Sequence, residues 1–305
     1  MKLAPAVLAL LVLVGGCGGE DKAGDAPPRV ATRIEVAEPI GVAVGGGSVW
    51  VASFADDAVV RIDPETNRVV ARIPVGKGPI GVGFGAGSAW SADWSGGTVT
   101  RIDPATNRAV ATIAVADGPE GVAWGDGSLW TSNKSGSVSR VDPATNREVA
   151  RIEVAPELRY LAATGDAVWV ASFDESTLHR IDPKTNKVVR TVPAGSGPQG
   201  VAAGGGSLWV ASFDTSAVLE LDPVTGALRR TVALPERSGP EGLALAGKTL
   251  WVANSRGASV SSIDTASGQV TATVKSGVEP RGIATLDGAA WVANTVSGKV
   301  AVVDP

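Results

Sequence analysis

Seven tryptophans at nearly equal intervals constrain the fold of this chain more than any other feature. The intervals are 40, 40, 39, 40, 42 and 40 residues. The recurring positions are Trp50, Trp90, Trp130, Trp169, Trp209, Trp251 and Trp291. The segments between them are short and β-patterned, without the apolar spacing of about 3.6 residues that marks helices. A period near 40 residues with such segments predicts an all-β fold, a seven-bladed β-propeller with four-stranded antiparallel blades.

Two further positions recur with the tryptophans and predict a turn. Later in each repeat than the tryptophan, an aspartate recurs, such as Asp63 in the first repeat. In six of the seven repeats this aspartate directly precedes proline, as Asp63 precedes Pro64. Proline presets the backbone of a type I turn, and aspartate caps the turn through its side chain. Four residues after the aspartate comes asparagine or glycine, as at Asn67 and Gly226, and both tolerate a positive φ. We therefore expect a tight hairpin between the third and fourth strands, closed by a left-handed residue.

The two ends of the repeat region predict how the ring closes. The seventh repeat stops at Asp304 and Pro305, after its third strand. Residues 29–36 resemble residues 68–75, which form the fourth strand of the first repeat. We expect residues 30–36 to complete the last blade, because a ring that pairs its own ends leaves no open sheet edge. The predicted propeller domain spans residues 30–305.

The first 29 residues are predicted to direct the chain rather than to join the propeller. Lys2 precedes an apolar segment of twelve residues, 3–14, which is shorter than the roughly 20 residues of a membrane-spanning helix. Small residues then lead to Cys17, the only cysteine, in a pattern that resembles the lipobox of bacterial lipoproteins. The resemblance implies a signal peptide over residues 1–17, a lipidated Cys17 and a location on the extracytoplasmic face of the cell membrane, in a periplasm or at the cell surface. Residues 18–29 are predicted to form a flexible linker. The alternative is an ordinary secretory signal with a chance cysteine.

The composition fits a folded domain and excludes one class of partner. Apolar residues make up 44% of the chain and charged residues 19%, so a large core can form. The formal net charge is −4, which gives no general attraction for nucleic acid phosphates or anionic lipids. We expect no nucleic-acid partner, membrane contact through the lipid anchor, and a monomer.

Short motifs in the repeats resemble known propeller families. Leu208–Ser212, Leu250–Asn254 and Arg61–Val70 resemble the YVTN-type β-propeller repeat. The Gly-Pro-x-Gly segments that open the repeats resemble those of the virginiamycin B (streptogramin) lyase propellers. The resemblance covers residues 30–305 and implies the propeller fold. For the lyase it would also imply a metal-assisted elimination that uses histidine and glutamate on one face.

The residues that such chemistry needs are not found at the corresponding places. The single histidine, His179, falls in a predicted third strand, away from the expected mouth of the ring. No serine lies beside a histidine, and no glycine-rich phosphate loop connects a strand to a helix. Single carboxylates in predicted loops do not have the spacing of a calcium site and are interpreted as solvated: Asp56, Asp57, Asp174, Glu175 and Asp214. The sequence therefore predicts no catalytic residues, no metal and no cofactor, and favours a non-enzymatic function.

Functional information is expected where the repeats differ. Four residues after the tryptophans, the loop between the second and third strands carries Phe54, Trp94, Lys134, Phe173, Phe213, Ser255 and Thr295. Ten residues before them, the loop leading into the inner strand carries Ile40, Ile80, Glu120, Arg159, Gln199, Glu241 and Arg281. In the fourth repeat, Tyr160 replaces a glycine that every other repeat has. Both loops should open on the same end of the ring and form a charged inner ring surrounded by an aromatic arc.

Two interpretations of this face remain open. It can bind a protein, a peptide or a glycan, through Phe54, Trp94, Lys134, Phe173 and Phe213 with Glu120, Arg159, Tyr160, Gln199, Glu241 and Arg281. Alternatively, the aromatic side chains fold inward over the blades while the charges pair, Glu120 with Arg159 and Glu241 with Arg281. The function favoured by the sequence is a membrane-anchored binding or scaffold propeller. The alternatives are a lyase-like enzyme and a sensor propeller that acts with a membrane partner.

Overall fold

Each repeat folds into one four-stranded antiparallel sheet, and the seven sheets form a ring of blades. The computed structural model describes residues 27–305. The predicted signal peptide, the predicted lipidation site Cys17 and residues 18–26 of the predicted linker lie outside the described residues. No helix within the described part of the chain has the length and apolarity needed to cross a bilayer.

The first strand and the strands of blades 1 and 2 are β1 (Arg29–Glu35), β2 (Pro39–Gly45), β3 (Ser48–Ser53), β4 (Ala58–Asp63), β5 (Arg68–Pro74), β6 (Pro79–Gly85), β7 (Ser88–Asp93), β8 (Thr98–Asp103) and β9 (Arg108–Ala114). Blades 3 and 4 contain β10 (Pro119–Gly125), β11 (Ser128–Asn133), β12 (Ser137–Asp142), β13 (Arg147–Glu153), β14 (Leu158–Ala163), β15 (Val168–Ser172), β16 (Thr177–Asp182) and β17 (Lys187–Pro193). Blades 5 and 6 contain β18 (Pro198–Gly204), β19 (Ser207–Ser212), β20 (Ala217–Leu221), β21 (Leu228–Ala233), β22 (Pro240–Ala246), β23 (Thr249–Asn254), β24 (Ser259–Asp264) and β25 (Val270–Lys275). Blade 7 contains β26 (Pro280–Leu286), β27 (Ala289–Asn294) and β28 (Lys299–Asp304), and β1 is its fourth strand.

The ring closes through β1, as predicted. β1 pairs antiparallel with β28, with Thr32 opposite Val302 and Arg33 opposite Ala301. The strand begins at Arg29, one residue earlier than predicted, and the amide of Val36 donates to the carbonyl of Gly298 at 3.1 Å. The inner strands of neighbouring blades contact one another around the ring, and β26 of blade 7 contacts β2 of blade 1. We call the interface between blades 7 and 1 the seam.

The hydrophobic core lies between the blades rather than within one sheet. Each of seven clusters of buried side chains combines residues from two neighbouring blades. Trp50 of blade 1, for example, packs with Val82 and Ile102 of blade 2. The seven repeated tryptophans are 0 to 3% exposed. They therefore act as packing residues between neighbouring sheets.

The outer hairpins have the predicted chemistry. The amide of Glu65 donates to Oδ1 of Asp63 at 2.8 Å, so the aspartate caps the turn. Asn67 has a φ of 56° and Gly226 a φ of 70°, as expected for the left-handed residue that closes the hairpin. The following outer strand then carries a β-bulge, which in blade 1 falls at Val70. Bulges distort the outermost edge and so disfavour pairing with other chains.

An arginine two residues before the hairpin aspartate ties blade 1 to blade 2. The Arg61 guanidinium lies 5.1 Å from the ring centroid of Trp50 on its own blade. Its Nη1 donates to the carbonyl of Pro104 at 2.6 Å and to Oδ1 of Asn107 at 2.8 Å, both on the outer hairpin of blade 2. We call this arrangement the guanidinium latch. The same arrangement recurs between blades 2 and 3 and between blades 3 and 4, at Arg101 and Arg140.

Candidate binding face at the upper end of the ring

The two variable loops of each blade lie at the same end of the ring. Pro39, where the inner strand begins, is opposite Ser53, where the second strand ends. The amide of Phe54 donates to the carbonyl of Glu38 at 3.1 Å and joins the two loops directly. The equivalent bond forms in every blade, from Trp94, Lys134, Phe173, Phe213, Ser255 and Thr295. We call this end the upper face and the end with the outer hairpins the lower face.

The charged side chains of the predicted inner ring pair with one another. Nη1 of Arg159 lies 3.2 Å from Oε2 of Glu120, and Nε of Arg281 lies 2.8 Å from Oε1 of Glu241. Both carboxylates are buried, and Gln199 between them is 9% exposed. The arrangement places two carboxylates and two guanidinium groups around the axis, so these four side chains contribute no net charge when ionised.

Burial governs the protonation of this ring. It raises the pKa of both Glu120 and Glu241, and the neighbouring Arg159 and Arg281 offset part of the shift. Breaking either ion pair would leave a buried charge without its counterion, which is costly in a low-dielectric site. The ring is therefore built to hold its shape, because each buried carboxylate is paired with a guanidinium group.

Tyr160 fills the axis of the ring. Most repeats have glycine at this position because neighbouring inner strands approach closely, and a Cβ on Gly81 would lie 2.0 Å from the carbonyl oxygen of Glu120. Blade 4 instead directs Tyr160 into an axial cavity of about 150 Å³. Burial raises the pKa of the phenol, as do the nearby Glu241 and Glu120, so Tyr160 stays neutral. A cavity of this size holds at most a molecule about as large as benzene, so the axis is too small for a peptide or a glycan.

The aromatic side chains on blades 4 and 5 form a half-buried row. The rings of Phe173 and Phe213 have centroids 6.4 Å apart. Arg159 lies 5.1 Å from the centroid of Phe173, and Arg256 lies 4.1 Å from that of Phe213. Cation–π contacts of this kind cover part of each ring. The row therefore connects the charged inner ring to the rim of the upper face.

Trp94 lies apart from that row, in a groove across blades 2 to 4. The groove encloses about 650 Å³ and is lined by Trp94, Lys134, Asp117 and Glu157, with serines and glycines between them. The Lys134 ammonium lies 5.9 Å from the Trp94 ring centroid and 3.6 Å from Oε1 of Glu157. We call this site the upper groove. It combines an indole, a cation and two carboxylates within one concave surface.

The structure divides the predicted site residues into three groups. Glu120, Arg159, Gln199, Glu241 and Arg281 surround the axial Tyr160, Phe173 and Phe213 form the row, and Trp94 and Lys134 line the upper groove. Phe54 is half-buried on blade 1, outside all three. Sequence reasoning missed Asp117, Glu157 and Arg256. A signal for Glu157 was present, since it immediately precedes the irregular Leu158-Arg159-Tyr160 segment.

His179 lies in the third strand of blade 4, two strands outward from the strand that lines the axis. It is 4% exposed and hydrogen-bonds to the hydroxyls of Thr177 at 2.9 Å and Thr191 at 3.0 Å. Burial lowers the pKa of the imidazole, although Glu175 acts in the opposite direction. Within residues 27–305, no three histidine, cysteine or carboxylate side chains converge on a possible metal position.

Comparisons with known proteins show the fold. No protein-family model and no curated protein matches the chain. Among solved structures it is similar to virginiamycin B lyase from Staphylococcus aureus, with a TM-score of 0.79 and 15% identity over 91% of this chain and 99% of that chain. It is similar to Kuenenia stuttgartiensis hydrazine synthase, with a TM-score of 0.80 and 14% identity over 94% and 99%. A chain of the mitotic checkpoint complex gives a TM-score of 0.81 and 14% identity over 99% of each chain.

These similar structures carry different functions, so the likeness shows the propeller fold alone. One of them is a catalytically inactive histidine-to-alanine variant of virginiamycin B lyase with quinupristin, at 16% identity. At such identities only the fold is shared.

Proposed function

We propose that this chain is a lipid-anchored, extracytoplasmic binding propeller that recognises a protein, peptide or glycan in the upper groove. The observation that carries the proposal is the groove of about 650 Å³ beside the half-buried Trp94. Binding sites typically combine an aromatic anchor with a few polar groups that fix the orientation of a ligand. Trp94 is the anchor, and Lys134, Asp117 and Glu157 are the orienting groups.

The geometry favours the groove over the other two regions of the upper face. The axial ring is closed by Tyr160 and its charges are already paired. The phenylalanine row is covered in part by Arg159 and Arg256. Lyase activity is not proposed, because the single histidine is buried between strands and engaged by two threonines.

A substitution in the groove tests the binding proposal. Trp94→Ala removes the anchor and should abolish capture of ligands from membrane extracts and from peptide and glycan panels by the immobilised full chain. The stability cost should stay near 1 kcal/mol, because the ring is only half-buried.

Phe54→Ala is the matched control, since it truncates the aromatic residue at the same repeat position on blade 1, outside the groove. It should leave capture unchanged. Equal loss of capture in both variants, or loss that simply follows a large fall in melting temperature, would contradict the proposal.

The proposed location depends on the lipobox-like segment and is tested separately. Cys17→Ser removes the thiol that would carry the lipid, and the protein should then leave the membrane fraction. Labelling of intact cells should reach the wild-type chain from outside the cytoplasmic membrane. Membrane association that survives the substitution would refute anchoring through Cys17 without affecting the proposed groove.

A further inference from the structure

A binding site for guanidinium recurs between blades, and its most complete example surrounds Arg140. The guanidinium lies 4.8 Å from the centroid of Trp130 and donates to Oδ2 of Asp126 at 2.8 Å, both on blade 3. On the hairpin of blade 4, it donates to the carbonyl of Pro183 at 2.5 Å and to Oδ1 of Asn186 at 3.1 Å. The site thus consists of an indole face, a carboxylate, a carbonyl and an amide oxygen.

The seam has the same four groups without the arginine. In the strand register, Val302 stands opposite Trp291, where Arg140 stands opposite Trp130. Asp287 occupies the turn position of Asp126, with a similar φ of 51° against 49°. The hairpin of blade 1 supplies the carbonyl of Pro64 and the side chain of Asn67, as Pro183 and Asn186 do for Arg140.

The acceptor at the seam is left without a partner. Oδ1 of Asn67 is buried and makes no hydrogen bond within the described residues. Oδ1 of the equivalent residues on blades 2, 3 and 4 accepts from the guanidinium of the preceding blade: Asn107, Asn146 and Asn186. A buried acceptor without a donor is unfavourable, so a donor that reached it would bind favourably.

A cavity lies where the arginine would be. It encloses about 320 Å³ and is lined by Pro64, Asn67, Asp287, Trp291 and Val302, among others. Trp291 is 3% exposed, the largest value among the seven repeated tryptophans. We call this cavity the seam slot. It opens on the lower face, at the opposite end of the ring from the upper groove.

We propose that the seam slot binds a guanidinium group supplied by an arginine side chain of another polypeptide. Guanidinium is favoured over ammonium, because its planar fork stacks on an indole while it donates to several acceptors at once. A cation is favoured because Asp287 and Asp304 line the slot.

A polypeptide source is favoured by the adjoining surface. A second groove of about 730 Å³ shares Pro64 and Asp287 with the slot and is also lined by Asp63 and Glu65. A chain that inserts an arginine into the slot can therefore continue along an acidic surface beside the hairpin of blade 1.

Binding of a defined peptide to the full chain tests the proposal. The probe is acetyl-Gly-Gly-Arg-Gly-Gly-amide, and the control replaces arginine with citrulline, which has nearly the same shape but no charge. Calorimetry or chemical-shift titration should show saturable binding of the arginine peptide and binding about tenfold weaker for citrulline. Equal binding of the two peptides, or no saturable binding, would overturn the proposal. N-acetyl-arginine amide is the third probe, and affinity equal to that of the peptide would refute a polypeptide source while leaving guanidinium recognition in place.

Two substitutions locate the site. Val302→Arg supplies the missing arginine from within the chain, so it should abolish peptide binding and raise the melting temperature by about 2 °C. Ser262→Arg is the matched control, because Ser262 has the same strand position on blade 6. The neighbouring blade 7 has no hairpin between β28 and β1 that could supply acceptors for the new arginine. This control should retain peptide binding and gain no stability.

Asp287→Asn keeps the turn but removes the charge, and it provides a second test if Val302→Arg does not fold. This variant should bind the arginine peptide several-fold more weakly, with citrulline binding unchanged. Wild-type affinity in either folded Val302→Arg or Asp287→Asn would overturn the assignment to the seam slot.

Discussion

Two parts of the ring hold neighbouring sheets together in different ways. One comprises the three interfaces that join blade 1 to 2, 2 to 3 and 3 to 4, and the other is the seam between blades 7 and 1. Each of the three former interfaces combines a buried tryptophan with a guanidinium latch, as at Arg61. The seam has the buried tryptophan, Trp291, but valine in place of the arginine. It is instead secured by β1, which adds Ile34 and Val36 to the core cluster of blades 7 and 1. Chain connectivity and polar bonds thus fulfil similar roles at different places in the ring.

The interfaces on the far side of the ring show that the hairpin carbonyl is the constant feature. Between blades 4 and 5, Nε1 of Trp169 itself donates to the carbonyl of Pro223 at 3.1 Å. Between blades 5 and 6, Arg230 from the outer strand donates to the carbonyl of Thr265 at 2.9 Å. Different side chains therefore satisfy the same backbone acceptor. The seam differs from all five of these interfaces because no side chain among residues 27–305 donates to the hairpin carbonyl there.

The largest effect is expected when the strand that secures the seam is removed. Deleting residues 30–36 exposes the edge of β28 and removes Ile34 and Val36 from the core. The melting temperature should fall by about 10 °C or more. Thermal unfolding monitored by circular dichroism measures this change.

Deleting residues 19–25 of the predicted linker shortens the chain by the same length and serves as the control. That variant should have the same melting temperature as the wild type. If the two deletions melted alike, β1 would not be what closes the ring.

A smaller effect is expected when a latch is removed and an inner interface is made to resemble the seam. Arg101→Met keeps the length of the side chain but leaves the carbonyl of Pro143 and Oδ1 of Asn146 without their donor. The free energy of unfolding should fall by about 2 kcal/mol. Denaturant titration measures the loss.

Arg72→Met is the matched control, because Arg72 forms an exposed ion pair with Asp56 at 3.3 Å. Such pairs contribute little, so its effect should stay within about 0.5 kcal/mol. Equal losses in the two variants would show that the latch contributes no more than a surface ion pair.

Much of the fold could be predicted because the same residue pattern recurs in all seven repeats. The tryptophan period predicted the blades, and the likeness of residues 29–36 to residues 68–75 predicted the closing strand. Arginine recurs two residues before the hairpin aspartate at Arg61, Arg101, Arg140 and Arg180, and the first three of these form latches while Arg180 donates to Asp166 of its own blade. What the pattern could not supply was the partner, because the acceptors lie on the next blade, more than forty positions along the chain.

The candidate site was harder to predict because it depends on residues that do not repeat. The sequence raised the pairing of Glu120 with Arg159 and of Glu241 with Arg281 as one alternative, and both ion pairs form. The contact between Phe173 and Phe213 depends on where two unlike loops meet. Side-chain directions at the upper face follow from packing between blades, and one repeat read alone does not contain that information.

The smallest expected effect is a difference in how acid changes the stabilising contribution of two aspartates, one in an outer hairpin and one at the end of β28. In blade 3, Asp142 accepts from the amide of Ala144 at 2.9 Å and from the hydroxyl of Thr145 at 2.8 Å. These bonds hold the pKa of Asp142 below its ordinary value of 3.8. Asp304 ends β28, and no amide or hydroxyl of the described residues donates to its carboxylate.

A depressed pKa in the folded state stabilises the protein at pH values above the unfolded pKa, and this contribution is lost as pH falls through the folded pKa. Asp142→Asn should therefore lower the melting temperature slightly at pH 7. The difference from wild type should vanish at pH values below the pKa of the Asp142 carboxyl in the folded protein. Asp304→Asn removes a carboxylate without such hydrogen bonds, and it should leave the melting temperature at pH 7 unchanged. If the Asp142→Asn effect stayed constant across the titration, the charge of the carboxylate would not be what stabilises the hairpin, and the asparagine's altered hydrogen bonding would account for the loss instead.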